Sequence, residues 1–296
     1  MNDYVGGGRG AEGYFAFLRE RYRILLRRRE GLPPPWTDDE VLRAWRFCNV
    51  RREDDRVTTW FRDRVRGPLA DDPRVLFAVV AFRWFNTIET GEAIRPWLMG
   101  DWDRDAVLDA LDAAIVAGRH VFTGAFMISS APGKPKHVDV LDNLGWLRDN
   151  LLVDGRATDE TPRTSEGMMR HLLRVPFLGN FSAYQAVVDL QQTYLLRDSA
   201  DRQTFTVAGP GCAKGIGLCL RDDPGWFRYG SRADQTAMTR TMIDLRGRSL
   251  ASSELWPIEW PPFELSDVEN GFCEYAKWRT GHSGLRLKRR FEPRSP

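Results

Sequence analysis

Apolar positions recur along this chain at three- and four-residue intervals almost throughout. Val107, Leu108, Leu111, Ala114 and Ile115 follow the i, i+1, i+4, i+7, i+8 spacing of a helix with one apolar face, and Leu141, Leu144, Leu147 and Leu151 repeat every three or four residues. These stretches predict helices near 103–117 and 138–153. The same periodicity places others at 11–30, 39–48, 53–66, 72–86, 164–174, 180–196, 211–220, 231–246 and 264–279. Thr37, Asp38, Asp39 and Glu40 offer caps and first-turn acids after a triple-proline stop, and Ser266 with Glu269 has capping-box spacing. Strand-like alternation is sparse. The expected fold class is therefore all-α, with no sheet beyond two short strands.

Within 168–196, two amphipathic stretches flank Val175, Pro176, Phe177, Leu178 and Gly179. This pattern is shared by an ordinary αα-hairpin and by a helix-hairpin-helix. In the second case Phe177 and Leu178 tuck between the helices, and Gly179 and Asn180 bring the backbone and the amides opening the next helix to a DNA phosphate. Breakers gather at 31–35, 131–135, 154–162, 208–217 and 257–262. The acidic 154–160 stretch is the candidate boundary between an N-terminal helical bundle, 1–153, and a C-terminal subdomain, 161–296, although it equally suits a surface loop in one continuous domain.

Composition narrows the class. The 296 residues are 42% hydrophobic and 28% charged, as in a globular protein, and the longest apolar run, around 76–82, is far too short to span a bilayer. The polar, Gly-rich start does not resemble a secretory signal, so a cytoplasmic location is expected, with no membrane partner. Cys48, Cys212, Cys219 and Cys273 form no CxxC pair. Cys212 and Cys219 sit two helical turns apart, which favours packing, and no Cys/His cluster or HExxH suggests a metal or other cofactor.

Charge adds a direction. The net +2 conceals +4 over 1–66, −8 over 67–276 and +6 over 277–296, and 38 of the 43 basic residues are arginine. Arginine suits bidentate phosphate contact, so a nucleic-acid partner is one reading and arginine-rich genomic composition the other.

Three segments carry candidate chemistry. The first, 46–61, sets Arg46, Arg51, Arg52, Asp54, Asp55 and Arg56 among Phe47, Trp60 and Phe61, either as a salt-bridged helix face or as a site of paired, partly buried charge. In the second, 207–215, Gly209, Gly211 and Lys214 open a helix as a plausible anion site. It is not a Walker A loop, since GxxxxGK[ST] does not occur in the chain. The third, 197–202, holds Asp198 and Asp201 about twenty residues after the hairpin glycine, the distance of the catalytic aspartate in helix-hairpin-helix glycosylases.

Taken together, 33–61 (PPPWTDDEVLRAWRFCNVRREDDRVTTWF), 83–90 (RWFNTIET), 121–128 (VFTGAFMI), 176–190 (PFLGNFSAYQAVVDL), 208–217 (AGPGCAKGIG), 267–278 (DVENGFCEYAKW) and the basic 285–291 (LRLKRRF) run in order across most of the chain. In these stretches the sequence resembles the helical domain of phage 5-hydroxymethyluracil DNA kinases and their relatives, the alpha-glutamyl/putrescinyl thymine pyrophosphorylases. The resemblance implies a DNA-glycosylase-like helical bundle in DNA thymine hypermodification. The kinases' P-loop is missing from these residues. That points to the transferase branch, which replaces pyrophosphate on an activated 5-hydroxymethyluracil with an amine or amino acid, in partnership with a separate P-loop kinase. The alternatives are a non-catalytic DNA-binding partner of such a kinase and a glycosylase acting on modified thymine. For the transferase, Asp55, Asp189 or Asp201 is the candidate base. Arg46, Arg52, Arg56, Gly209, Gly211 and Lys214 are candidates for pyrophosphate, Phe181, Tyr184 or Trp60 for stacking on an extruded base, and Gly179, Asn180, Lys288, Arg289 and Arg290 for DNA.

Overall fold

The computed structural model describes residues 10–124, 128–285, 287 and 289–291. Among them the protein is all-α. Twelve α-helices follow in order: α1 (Gly10–Arg29), α2 (Glu40–Ala44), α3 (Arg56–Phe61), α4 (Val75–Phe85), α5 (Ile88–Met99), α6 (Arg104–Val116), α7 (Lys136–Leu151), α8 (Ser165–Leu172), α9 (Asn180–Leu190), α10 (Pro210–Arg221), α11 (Arg232–Ala251) and α12 (Leu265–His282). Extended backbone pairs only as isolated antiparallel bridges, Trp45 with Arg290 and Val153 with Arg156, among the described residues. No described helix is long and apolar enough to cross a membrane.

The chain forms two compact units. One combines the described parts of Met1–Asp55 and Thr206–Pro296; the other is Arg56–Phe205. The boundary considered at 154–160 lies inside the second unit. There the amides of Val153 and Arg156 each donate to the other's carbonyl and close a tight turn.

In the first unit, α1, α10, α11 and α12 share a core. The Tyr14 ring stacks on Phe272 at 4.1 Å, and its hydroxyl donates to the Val268 carbonyl at 3.0 Å. A side chain at Gly215 would collide with the Phe272 carbonyl, so glycine lets the backbones of α10 and α12 meet. Cys212 and Cys219 are free and buried on α10, as their spacing predicts.

The second unit is built around α4. All eleven of its residues are buried, as an all-round apolar helix requires. It packs against α5, α7 and α9. Arg83 on α4 and Arg66 donate to the fully enclosed Asp189 carboxylate of α9, with Arg66 Nη1 at 2.6 Å.

Most elements match the periodicity; the departures are informative, beginning with the helix expected over 53–66, which divides into a 3-10 turn at Arg52–Asp54, α3 and a π-helical turn at Arg62–Arg66. Helix α5, which contains Gly91 and Pro96, is not among the helices expected from the periodicity. Gly91 is the point where a Cβ would strike the Trp60 ring. Helix α2 stops at Ala44, where Trp45 turns extended to pair with Arg290. Helix α9 ends at Leu190 and passes into turns. The α12 capping box uses Glu264 and Asp267, not Ser266 and Glu269. The α8–α9 hairpin exists, but Phe177 adopts φ +58° and is exposed. Leu178 is buried, as is Val175.

Candidate functional site

The segment from Trp45 to Asp55 leaves α2 as extended backbone, closes one 3-10 turn at Arg52–Asp54 and is strapped onto α12. The Cys48 amide donates to Glu274 Oε2 at 3.1 Å, the Arg52 amide to Asp267 Oδ1 at 2.9 Å, and Lys277 donates to the Arg46 carbonyl with its ammonium 4.3 Å from the Phe47 ring centroid. A stretch of so much charge and aromatic surface cannot remain a regular helix here, because its amides are claimed by carboxylates of another element.

This strap walls a cavity of about 170 Å³ in the first unit, lined by Arg21, Arg28, Arg43, Trp36, Trp45, Phe47, Cys48, Asn49 and Phe291, among others. The lining includes four aromatic residues and three arginines and, among the described residues, no aspartate or glutamate. Arg28 lies 5.4 Å from the Trp36 ring and 5.7 Å from that of Phe291, and Arg290 lies 5.6 Å from Trp45.

Asp55 stands behind the wall. Its Oδ1 accepts the Asn49 amide at 2.9 Å, while Asn49 Nδ2 donates to the Asp54 carbonyl at 2.7 Å. Burial pushes the Asp55 carboxyl up to about 6, against the pull of the Asn49 amide and of Arg21 and Arg52. The Cys48 thiol is pushed well above its ordinary value, first by the Glu274 carboxylate and then by burial, so it is no thiolate nucleophile near neutrality.

The structure gives several other candidates different work. The Gly209 amide, which heads α10, is approached at 3.4 Å by the protein's own Glu269. Burial lifts that carboxyl to about 7. A Cβ at Gly211 would meet Cys273, and Lys214 Nζ donates to Thr280 Oγ1 at 3.1 Å. The glycine turn is thus a helix–helix contact with its anion already supplied.

Arg56, Asp189 and Asp201 belong to the second unit. Arg56 pairs with Glu89 at 3.7 Å. Asp189 has both oxygens taken by arginines and is sealed from solvent, so it cannot serve as a base. Asp201 caps α8, accepting the Ser165 and Glu166 amides at 2.7 and 2.8 Å and the Ser199 hydroxyl. Burial works to raise its carboxyl, but Ser199 and these amides together hold it below the ordinary value.

Tyr184 is buried and cannot stack on a base, and Trp60 stacks on Phe82 while donating to Glu92 at 2.7 Å. Gly179, Asn180 and Phe181 are exposed at the start of α9. Arg289 and Arg290 are exposed too, but the backbone there is paired: the Arg46 amide donates to the Arg289 carbonyl at 3.1 Å. Lys288 lies outside the described residues.

Arg21, Trp36 and Glu274 are assigned no role from sequence, and Glu269 enters there only through capping-box spacing. Trp36 directly after three prolines, eight residues beyond Arg28, was the available signal for an aromatic wall. The burial of Arg21 and of the two glutamates follows from tertiary packing alone.

A family model described as "5-hmdU DNA kinase, helical domain" matches residues 10–286. The 5-hmdU DNA kinase of Bacillus phage SP10 is 30% identical over 230 residues, covering 71% of this chain and 36% of the phage protein. The chain therefore spans about a third of that relative's length. No solved structure matches.

Proposed function

The chain belongs to the 5-hmdU DNA kinase helical-domain family, and from that membership we propose that it modifies 5-hydroxymethyluracil in DNA, as a transferase that replaces pyrophosphate with an amine or amino acid. The observation that carries the chemistry is Asp55: a carboxyl raised to about 6, held by the amide of a residue in the wall of an arginine- and aromatic-lined cavity. A base must be unprotonated at working pH yet basic enough to accept a proton, and a value near 6 serves both needs.

In the transfer, the amine nitrogen bonds to the exocyclic methylene as the carbon–oxygen bond breaks. The pyrophosphate departs with the electron pair, and the amine's proton passes to Asp55. Charge gathering on the leaving group calls for cations, for which Arg46 and Arg52 stand on the same strap. The glycine turn has no part in this reading, because Glu269 and Cys273 occupy its surroundings.

The test supplies the protein with DNA whose 5-hydroxymethyluracil has been pyrophosphorylated, together with an amine, and reads nucleosides by mass spectrometry. A heavier nucleoside with released pyrophosphate is expected, and abasic sites would replace the reading with base excision. Asp55→Asn keeps the acceptor for the Asn49 amide, so melting should be unchanged while transfer falls by roughly 10²- to 10⁴-fold. Wild-type transfer should rise through about pH 6, where Asp55 loses its proton.

A second reading, a non-catalytic helical partner of a separate P-loop kinase, is favoured by the 36% coverage of the phage kinase. Phosphorylation of 5-hydroxymethyluracil DNA that depends on adding this chain to such a kinase, with no sensitivity to Asp55→Asn, would establish it.

A further inference from the structure

Arg21 is a buried cation with unfinished hydrogen bonding. It is 5% exposed and lines the cavity, and one Nη donates to the Cys48 carbonyl, while its buried Nε and other Nη have no hydrogen-bond partner. Buried guanidinium N–H groups left unpaired are costly, so Arg21, whose guanidinium also faces the Phe17 ring at 5.1 Å, keeps donors for an oxygen acceptor.

The rest of the cavity says what carries that oxygen. Trp36, Trp45, Phe47 and Phe291 give it an aromatic lining that already has cations beside it in Arg28, Arg290 and Lys277, and Arg28 and Arg43 add positive charge that no lining carboxylate among the described residues opposes. About 170 Å³ far exceeds the ~10–15 Å³ one water needs on this measure and falls short of the ~300–1,000 Å³ of drug-sized sites, which suits a single ring with a small substituent.

The geometry points to a binding site for one pyrimidine ring bearing an anionic group. The ring lies among the aromatic walls, a ring carbonyl or anion oxygen accepts from Arg21, and the charge meets Arg28 and Arg43. This deepens the transferase reading, on which the choice of pyrimidine rests, by placing the substrate base beside Asn49 and hence Asp55. The ring has two possible sources, a free nucleotide or a nucleotide rotated out of DNA.

The test titrates the full chain at low salt with dUMP, with inorganic pyrophosphate, and with single-stranded oligonucleotides with and without one 5-hydroxymethyluracil, following tryptophan emission and heat. Quenching by dUMP but not by pyrophosphate is expected, and it identifies the free nucleotide as a source. Quenching by the 5-hydroxymethyluracil oligonucleotide alone identifies the DNA residue. In either case Trp45→Leu and the surface change Arg43→Gln should each weaken binding by about tenfold, the scale of one lost stack or charge contact. Circular dichroism and melting keep folding separate from binding.

Unchanged affinity in both folded variants, or quenching by pyrophosphate alone, would overturn the site. Transfer is measured separately on the same variants. Normal transfer in both would remove the pocket and leave the transferase reading standing, whereas variant-sensitive nucleotide binding with no transfer by the wild type would do the reverse.

Discussion

Buried carboxylates in this molecule fall into two kinds, told apart by what their neighbours donate. Asp189 is surrounded by guanidinium groups, whereas Glu269 has the Gly209 amide at 3.4 Å and the Cys273 thiol. Burial therefore dominates at Glu269 and raises its carboxyl from 4.5 to about 7. A carboxyl raised on folding contributes stability that is present below its unfolded value and lost as pH rises through the folded one, here from about 4.5 to 7. Glu269→Gln removes the charge while keeping the shape. Its melting temperature should match wild type near pH 5 and exceed it by a few degrees at pH 8.5, the ceiling being ~3 kcal/mol. Equal differences at both pH values would mean Glu269 is not the titrating group. Sequence could not show this, since capping-box spacing suggested Glu269 as a helix-start residue and only the structure moves the cap to Glu264 and Asp267.

At the scale of elements, a cap and a catalytic group look alike in sequence, and Asp201 shows the consequence. Its placement about twenty residues after the hairpin glycine resembled a glycosylase aspartate, yet it accepts two amides opening α8. Its carboxyl is held below the ordinary value, so its contribution is present above the unfolded value and lost as pH falls through the folded one. Asp201→Ala should cost about 0.5–2 kcal/mol at pH 7, dwindle as pH falls below the ordinary carboxylate range, and leave transfer per folded molecule unchanged. A drop in transfer larger than the drop in folded fraction would return Asp201 to the chemistry. The helices themselves were legible because their apolar stripes obey one period. Helix α5 was hidden because Gly91 is a packing requirement set by Trp60, and Phe177 was misplaced because its positive φ reverses the side chain that periodicity would bury.

For the whole molecule, what the sequence concealed was which ends belong together. Periodicity along one helix carries no information about its partner, so the sequence leaves open both a division at 154–160 and one continuous domain. The structure instead pairs the first 55 residues with those from 206 onward, through contacts such as Tyr14 on Phe272 and Trp45 with Arg290. Charge follows the same division: the first unit carries +4 and the second −2. The basic unit is the one that holds the cavity, and Arg28, Arg43, Arg46, Arg289 and Arg290 are exposed on it. If these groups meet DNA phosphates, each contact releases condensed counterions, and affinity for 5-hydroxymethyluracil DNA should fall with salt at a log–log slope of about −2 to −4. Arg289→Gln with Arg290→Gln should weaken binding to modified and unmodified strands alike and flatten that slope by about 1 to 2. Arg43→Gln should in addition diminish the preference for the modified strand, because its guanidinium lines the cavity. A slope near zero, or one untouched by the double variant, would mean the arginines at 289 and 290 hold only the bridge to Trp45 and leave the phosphates to other groups.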